Sequence, residues 1–372
     1  MSVLDVAEQA RRDTPLFNDN KMKLGVFGSN CSSGLCMSAA ETNFKPTWEE
    51  NLRIAERAEA LGLELLLPVA RWHGFGGSVD FNGDNMEVYT WAAGLAARTE
   101  KIMVAATSHV PTVHPILAAK QGATIDHISH GRFALNIVCG WFRTEMEMFG
   151  ARQLEHDERY RRADEWLTIM KRLWTEQEDF DHEGPYYRVQ NGYLQPKPVQ
   201  KPWPVLINAG SSEAGQDFSA KHCDFNFIAA DTLENSERVI KSVRNKARSY
   251  GRDIGVMTFG LIVCRDTERE AKQAYEHIVE KGDYEGLKTL LAQLGVESGS
   301  FQAQVNQFAE RFFAGWGGYP IVGSPEQVVD KLAELSRIGV DGFTAGWLDY
   351  ANELDYFGER VLPLMRQAGL RQ

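Results

Sequence analysis

The sequence lacks several things that would make other function classes easy to argue. It has no excess of positive charge: 40 Lys and Arg stand against 51 Asp and Glu, a formal net charge of −11. A phosphate-backbone binder gathers Lys and Arg to displace counterions, so no nucleic-acid partner is expected. It has no cysteine framework. Its five cysteines, at 31, 36, 139, 223 and 264, are odd in number and scattered, and the lone C-x4-C at Cys31/Cys36 has no second pair to complete a zinc site. A reducing, cytoplasmic setting is expected. The opening MSVLDVAEQARRDTPLFNDNK has no secretory h-region, and no stretch approaches the ~18 apolar residues of a membrane span, so no membrane partner is expected.

Common catalytic signatures are missing as well. No H-x-H follows the first apolar run and no H-E-x-x-H occurs. Of the nine histidines, His127 and His130 fall in a helix-to-strand turn where a surface position is expected. No metal ligand set is expected. The absence of a G-x-S-x-G elbow argues against a Ser-His-Asp hydrolase.

What is present is a βα rhythm. A 43% hydrophobic chain of 372 residues has ample material for a core. Eight short apolar runs read as strands: 23–28, 63–70, 101–109, 132–140, 204–210, 223–230, 254–264 and 340–348. Their unbroken apolarity suits parallel strands buried on both faces. Helix-period segments separate them. TWEENLRIAERAEALG carries Ile54, Ala55, Ala58 and Leu61 on one stripe and stops at Gly62. DERYRRADEWLTIMKRLW buries Trp166, Leu167, Met170 and Leu173, and SPEQVVDKLAELSRIG opens on a Ser cap with Pro in its first turn. Eight such units predict an α/β fold, a (β/α)8 TIM barrel, with insertion loops at the C-terminal face. The longer connections at about 29–46, 177–203 and 280–320 are candidate lids or binding elements. No repeat, low-complexity tract or linker is evident. The expected organisation is therefore an N-terminal extension over 1–22 and a single barrel domain over 23–372.

A barrel places its ligand at the C-terminal ends of its strands. Those ends supply Gly28-Ser29-Asn30, Ala70-Arg71, Thr107-Ser108-His109, Asn136 to Trp141, Ala209-Gly210-Ser211-Ser212, Ala229-Ala230 and Gly346-Trp347, a rim with few carboxylates. In INAGSSEAG a strand ends at Gly210 and Ser211-Ser212 open a helix, a natural anion cradle of backbone N–H groups and hydroxyls. Ser212 could equally be a plain helix cap. Arg159-Tyr160 could bring a cation and a phenol to the same anion, although an Arg in a charged helical turn is more often solvated. Asn136 stands out as an amide inside the otherwise apolar run RFALNIVCG.

Four segments in order, ATIDHISHGRFALNIVCGWFRTEMEMFG, LEHDERYRRADEW, AGSSEAGQDFSA and DYFGERVLPLMR, resemble the bacterial luciferase-like FMN-dependent monooxygenases. Within them the likeness is to the branch of pyrimidine monooxygenase and dimethyl sulfone monooxygenase, and it runs from about residue 23 to the end. The resemblance implies a two-component enzyme in which a separate NAD(P)H-dependent flavin reductase supplies reduced FMN, and O2 is used to oxidise or cleave a small polar substrate. It implies cofactor contacts at Ala70, Arg71, Asn136, Glu145, Arg159, Tyr160, Gly210, Ser211 and Ser212. It implies catalytic roles beside the oxygen site for Thr107 and Asn136. Barrels of this family are commonly homodimers or homotetramers.

The residues are chemically suited to this. A flavin needs apolar walls, a few amide or hydroxyl partners and an anion site. Asn136 can both donate and accept and Thr107 carries one hydroxyl, so their expected role is to position oxygen and stabilise developing charge. Trp141 and Trp347 could wall the substrate pocket or pack in the core. His109 is either an acid or base at the rim or a structural histidine, and Cys139 reads as a small packing residue. The glycines of WHGFGG (72–77) suit tight turns near the ring. FGSNCSSGLC (27–36), expected on the substrate side, fits neither branch pattern, which leaves the substrate open between a pyrimidine or cyclic amide and a sulfone. A deazaflavin (F420)-dependent oxidoreductase and a non-catalytic flavin-binding protein remain the alternatives.

Overall fold

All eight apolar runs become parallel strands of one closed barrel. The computed structural model describes residues 14–294 and 309–372. Its strands are β1 (Lys23–Phe27), β2 (Leu65–Leu67), β3 (Met103–His109), β4 (Phe133–Val138), β5 (Phe180–Glu183), β6 (Arg188–Gly192), β7 (Val205–Asn208), β8 (Phe225–Ile228), β9 (Gly255–Cys264), β10 (Ile321–Gly323) and β11 (Gly342–Gly346). The barrel runs β1-β2-β3-β4-β7-β8-β9-β11 and closes by pairing β11 with β1. Its helices are α1 (Trp48–Ala60), α2 (Val88–Ala96), α3 (Pro115–Ile128), α4 (Arg143–Met148), α5 (His156–Thr175), α6 (Glu213–His222), α7 (Leu233–Ser249), α8 (Glu268–Glu280), α9 (Tyr284–Gln293), α10 (Pro325–Arg337), α11 (Tyr350–Arg360) and α12 (Leu362–Gln367). Among the described residues no helix is long and apolar enough to cross a membrane.

The local signals act as the sequence suggests. Thr47 caps α1 by accepting from Glu50 N, and Gly62 follows its end at φ 76°. Ser324 and Gln327 form a reciprocal capping box around Pro325 at the start of α10. On α5, Trp166, Leu167, Met170 and Leu173 are buried, and Trp166 Nε1 donates to Val113 O at 2.8 Å, tying α5 to the segment before α3. All five cysteines are free and buried.

Strand periodicity sorts side chains into two layers. The inner layer holds Phe27, Leu65, Leu67, Met103, Ala105, Ala134, Phe227 and Phe259, while Val104, Ala106, Leu135 and Ile137 face the helices. By the same alternation Thr107 follows Ala105, and Asn136 follows Ala134, on the inner face. These two residues are register partners on β3 and β4. The amide that interrupts an apolar strand is therefore the inner-face residue at the top of β4. At the opposite end Leu16 is buried beneath the inner layer, and Phe17 lies 5.5 Å from Phe225.

The three long connections behave differently from one another. In the middle one, β5 and β6 form an antiparallel hairpin held to α5: Glu165 accepts from Tyr186 N at 3.1 Å and Tyr187 N at 2.9 Å and meets His182 Nε2 at 3.0 Å. This corrects the expectation of a lid, because the backbone groups of the hairpin are tied to a helix on the outer layer. The first connection buries Leu35, Cys36 and Met37 beside the barrel. In the third, residues 309–320 return to the barrel mouth before β10 adds to β9. Residues 295–308 of that connection, and residues 1–13 of the expected extension, lie outside the described residues.

Candidate active site

A cavity of about 220 Å³ opens at the C-terminal end of the barrel. Its apolar floor is built by inner-layer aromatics. Phe27 meets Phe227 and Phe259 edge-on, each at 5.4 Å, and Phe227 stacks on Phe259 at 5.3 Å. Two loop tryptophans, Trp141 and Trp316, complete the wall. Trp316 stacks on Phe27 at 6.1 Å and has φ 50°, a costly left-handed conformation for a bulky residue. Arg311 holds that loop: its Nη2 donates to Gly317 O at 2.9 Å and also to Ala230 O at the end of β8.

Polar groups enter this apolar wall in two clusters. In the first, Thr107 Oγ1 donates to Pro68 O at 2.6 Å and accepts from Asn136 Nδ2 at 3.1 Å. Thr107 has one hydroxyl hydrogen and it is used, so the Asn136 atom facing it must be the nitrogen; this fixes the amide orientation. Asn136 Oδ1 is left buried with no hydrogen-bond partner. The one Thr107 hydrogen is directed at Pro68 O in this arrangement. The hydroxyl's other contact holds Asn136 in orientation.

The second cluster surrounds a buried arginine. Arg71 lies among Phe75, Trp141, Phe142 and Trp316, with its guanidinium carbon 5.0–5.6 Å from their ring centroids. Its counter-charge is Glu145 on α4, fully buried, whose Oε1 accepts from Arg71 Nη1 at 3.3 Å, Trp72 N at 2.6 Å and His73 N at 3.3 Å. Glu145 Oε2 and His109 Nδ1 stand 3.6 Å apart, and each lacks a hydrogen-bond partner. Burial, and secondarily the charge of Arg71, push the His109 pKa down to about 3, so the ring is neutral at ordinary pH.

Beside the cavity the starts of two helices meet. Ser212 Oγ caps α6 by accepting from Gly215 N at 3.2 Å, which leaves the first-turn N–H groups of residues 213 and 214 without intrahelical partners. Gly210 and Gly215 come so close that a Cβ on either would fall 2.6 or 2.7 Å from the other's Cα. The Tyr160 hydroxyl, hydrogen-bonded to Ser212, is within 2.6 Å of where a Gly215 Cβ would be. Burial raises the Tyr160 pKa to about 12, so it is a donor at neutral pH. Arg159 Nη1 donates to Gly140 O at 2.5 Å, while its Nε is buried and unpartnered.

The residues expected from sequence therefore divide by position. Ala70, Arg71, Thr107, Asn136 and Ser211 line the cavity. Gly210, Ser212 and Tyr160 gather at the adjoining helix start, and Arg159 lies beside Cys139 and Gly140. Glu145 sits behind Arg71 as its counter-ion and not in the cavity wall. Trp347 is core, packed edge-on against Tyr350 and Phe357 at 6.0 and 5.9 Å. Sequence reasoning missed Phe27, Phe227, Phe259 and Trp316 as walls. Phe27 and Phe227 carry a usable signal, since each is an aromatic near the end of a barrel strand on its inner parity, whereas Phe259 shares that parity from mid-strand. A second cavity of about 770 Å³ lies at the N-terminal end, lined by Asp224, Arg244, Arg252 and Asp341 among others. Two of its charges are spent on each other in the 2.7 Å Arg244–Asp341 pair.

Comparison with known proteins gives a consistent picture. A family profile described as luciferase-like monooxygenase matches residues 22–342. The chain is 33% identical over 353 residues to an FMNH2-dependent dimethylsulfone monooxygenase of Pseudomonas putida, covering 93% of this chain and 96% of the relative. It is 32% identical over 356 residues to a pyrimidine monooxygenase of Acinetobacter baylyi, covering 92% and 95%. A riboflavin lyase solved with modified FMN and riboflavin superposes with a TM-score of 0.83 at 25% identity, covering 94% of this chain and 92% of that one.

Proposed function

Because the chain belongs to the luciferase-like monooxygenase family, we propose that it is an FMN-dependent monooxygenase that oxidises or cleaves a small polar substrate with O2, its reduced FMN arriving from a separate NAD(P)H-dependent reductase. The observation that carries this reading is Asn136 Oδ1, an orphaned acceptor in the wall of an aromatic cavity at the catalytic end of the barrel. A buried acceptor without a partner costs about 1–3 kcal/mol, a cost removed when a ligand N–H reaches it. Reduced FMN, when bound, supplies such N–H groups and the electrons that activate O2.

The protein's own groups have distinct tasks. Phe27, Phe227, Phe259 and Trp316 exclude water from the ring and give it flat apolar faces. Asn136 orients the polar edge and is itself held by Thr107. Arg71, kept charged and rigid by Glu145 and the aromatic cage, places a fixed positive charge where negative charge develops. Residues 210–215 with Tyr160 form the site for the phosphate, with Arg159 nearby as a cation. We place the working protein in the cytoplasm as a homodimer or homotetramer.

The test is turnover with FMN, a reductase and NADH, O2, and a panel of uracil, cyclic amides, sulfones and sulfonates. Oxygen-dependent product supports the reading. Anaerobic hydride transfer with a deazaflavin, or tight flavin binding with no product, would sink it. Removing a preorganised polar group typically costs about 2.7–4 kcal/mol in the barrier, so Asn136→Ala should lower turnover by roughly 10²–10³. Full turnover of that variant with FMN bound would remove Asn136 from the mechanism.

A further inference from the structure

We infer that His109 is a hydrogen-bond acceptor that positions the substrate, committing the cavity to molecules that bring an N–H or O–H donor and hence to pyrimidines or cyclic amides over sulfones. This rests on the monooxygenase reading for the reaction but not for the geometry. His109 lines the cavity at the end of β3. Its Nδ1 is turned toward Glu145 Oε2 at 3.6 Å, and that carboxylate cannot swing away because three donors grip its other oxygen. A carboxylate only accepts, so the ring nitrogen facing it carries the hydrogen. A neutral imidazole has one N–H, and Nε2 is then a bare acceptor with no protein partner among the described residues. The depressed pKa of about 3 keeps the ring in that neutral form.

Asn136 Oδ1, unpaired in the same wall, is taken by the flavin in the reading above, so His109 Nε2 is the acceptor left for the substrate. A sulfone brings only further acceptors to it, whereas an amide N–H satisfies it. Arg71 can donate to an oxygen of either class, so it does not choose between them. A site with a buried acceptor discriminates against ligands that leave it unpaired, here by about 10–100-fold.

The test has two arms. In the flavin-free protein, nitrogen-15 NMR of the His109 ring at pH 7, assigned by its loss in His109→Leu, should show the proton on Nδ1. A proton on Nε2, or on both nitrogens, overturns the inference. This arm needs no ligand and decides alone if no probe binds. In the second arm, calorimetry on protein loaded with oxidised FMN compares uracil with 1,3-dimethyluracil, and 2-pyrrolidinone with its N-methyl derivative and dimethyl sulfone. The donor-bearing member of each set should bind about 10–100-fold more tightly. His109→Leu should erase that difference, while His109→Gln, which retains a side-chain carbonyl, should preserve most of it. Equal binding of the methylated probes, preference for the sulfone, or a fall in FMN affinity in place of probe affinity in His109→Leu would each overturn it. Failure of the monooxygenase reading shows separately, as absence of oxygen-dependent product in the turnover assay.

Discussion

The two ends of the barrel handle buried polar groups in opposite ways. At the N-terminal end the buried charges of Glu64, Arg132 and Asp126 are all answered. Glu64 accepts from Asn18 Nδ2, Asn20 Nδ2, Leu24 N and Arg371 Nη1 at 2.6–2.9 Å. Arg132 reaches the carbonyls of Ala96, Thr99 and Ile102, and Asp126 accepts twice from Gln200. At the C-terminal end Arg71 Nε, His109 Nδ1, Asn136 Oδ1 and Glu145 Oε2 all lack hydrogen-bond partners among the described residues. Native proteins satisfy most buried polar groups. A concentration of exceptions at one end marks where the protein keeps bonding capacity for something else, and the end where these buried charges are paired is where it keeps its stability.

This contrast can be broken most severely at the paired end. Glu64→Ala strands Arg371 in the interior and should destabilise the fold by about 3–5 kcal/mol in urea unfolding, with turnover per folded molecule preserved. Asn136→Ala should do the reverse, losing about 2.7–4 kcal/mol of barrier lowering in kinetics while its urea midpoint moves little, because no protein group loses its only partner. Next in size is Gly215→Ala, whose Cβ would sit 2.6 Å from the Tyr160 hydroxyl and 2.7 Å from Gly210 Cα. Overpacking of ~1–3 kcal/mol there should weaken FMN binding by at least about fivefold in a fluorescence titration.

A last contrast concerns pH. The folded His109 pKa of about 3 lies below its ordinary 6.5, so on acidification the unfolded chain takes up a proton that the folded chain refuses. Its contribution to stability is complete above about pH 6.5 and is lost as pH falls toward about 3, with a slope of up to ~1.4 kcal/mol per pH unit. His109→Leu should flatten the measured slope by that share; an unchanged slope would place the titration elsewhere.

The barrel was legible because its strands are buried on both faces, and burial writes an apolar run into the sequence. The oddity of Asn136 was legible for the same reason, as a breach of that run. The hairpin at Phe180–Gly192 was not, since its exposed residues carry no periodic pattern and it is held by Glu165 from another element. The task of Glu145 was hidden as well. A family likeness can place it near a cofactor, but only folding shows that it supports Arg71 and faces His109. Trp316 offered no signal, because a loop residue gains its place at the mouth entirely from tertiary contacts. Trp347, left open in the sequence between pocket wall and core, is decided by parity: a strand-end aromatic of the outward parity goes to the helical layer.

The cavity walls also differ in ancestry within the chain. Phe27, Phe227 and Phe259 belong to strands, where a change of size disturbs neighbours on two sides. Trp316 hangs from a loop pinned by Arg311 and meets the barrel through its ring, stacked on Phe27 and facing Arg71. Substrate range can therefore drift through position 316 and its loop while the strand layers stay untouched, which makes that segment the natural starting point for laboratory evolution toward larger rings.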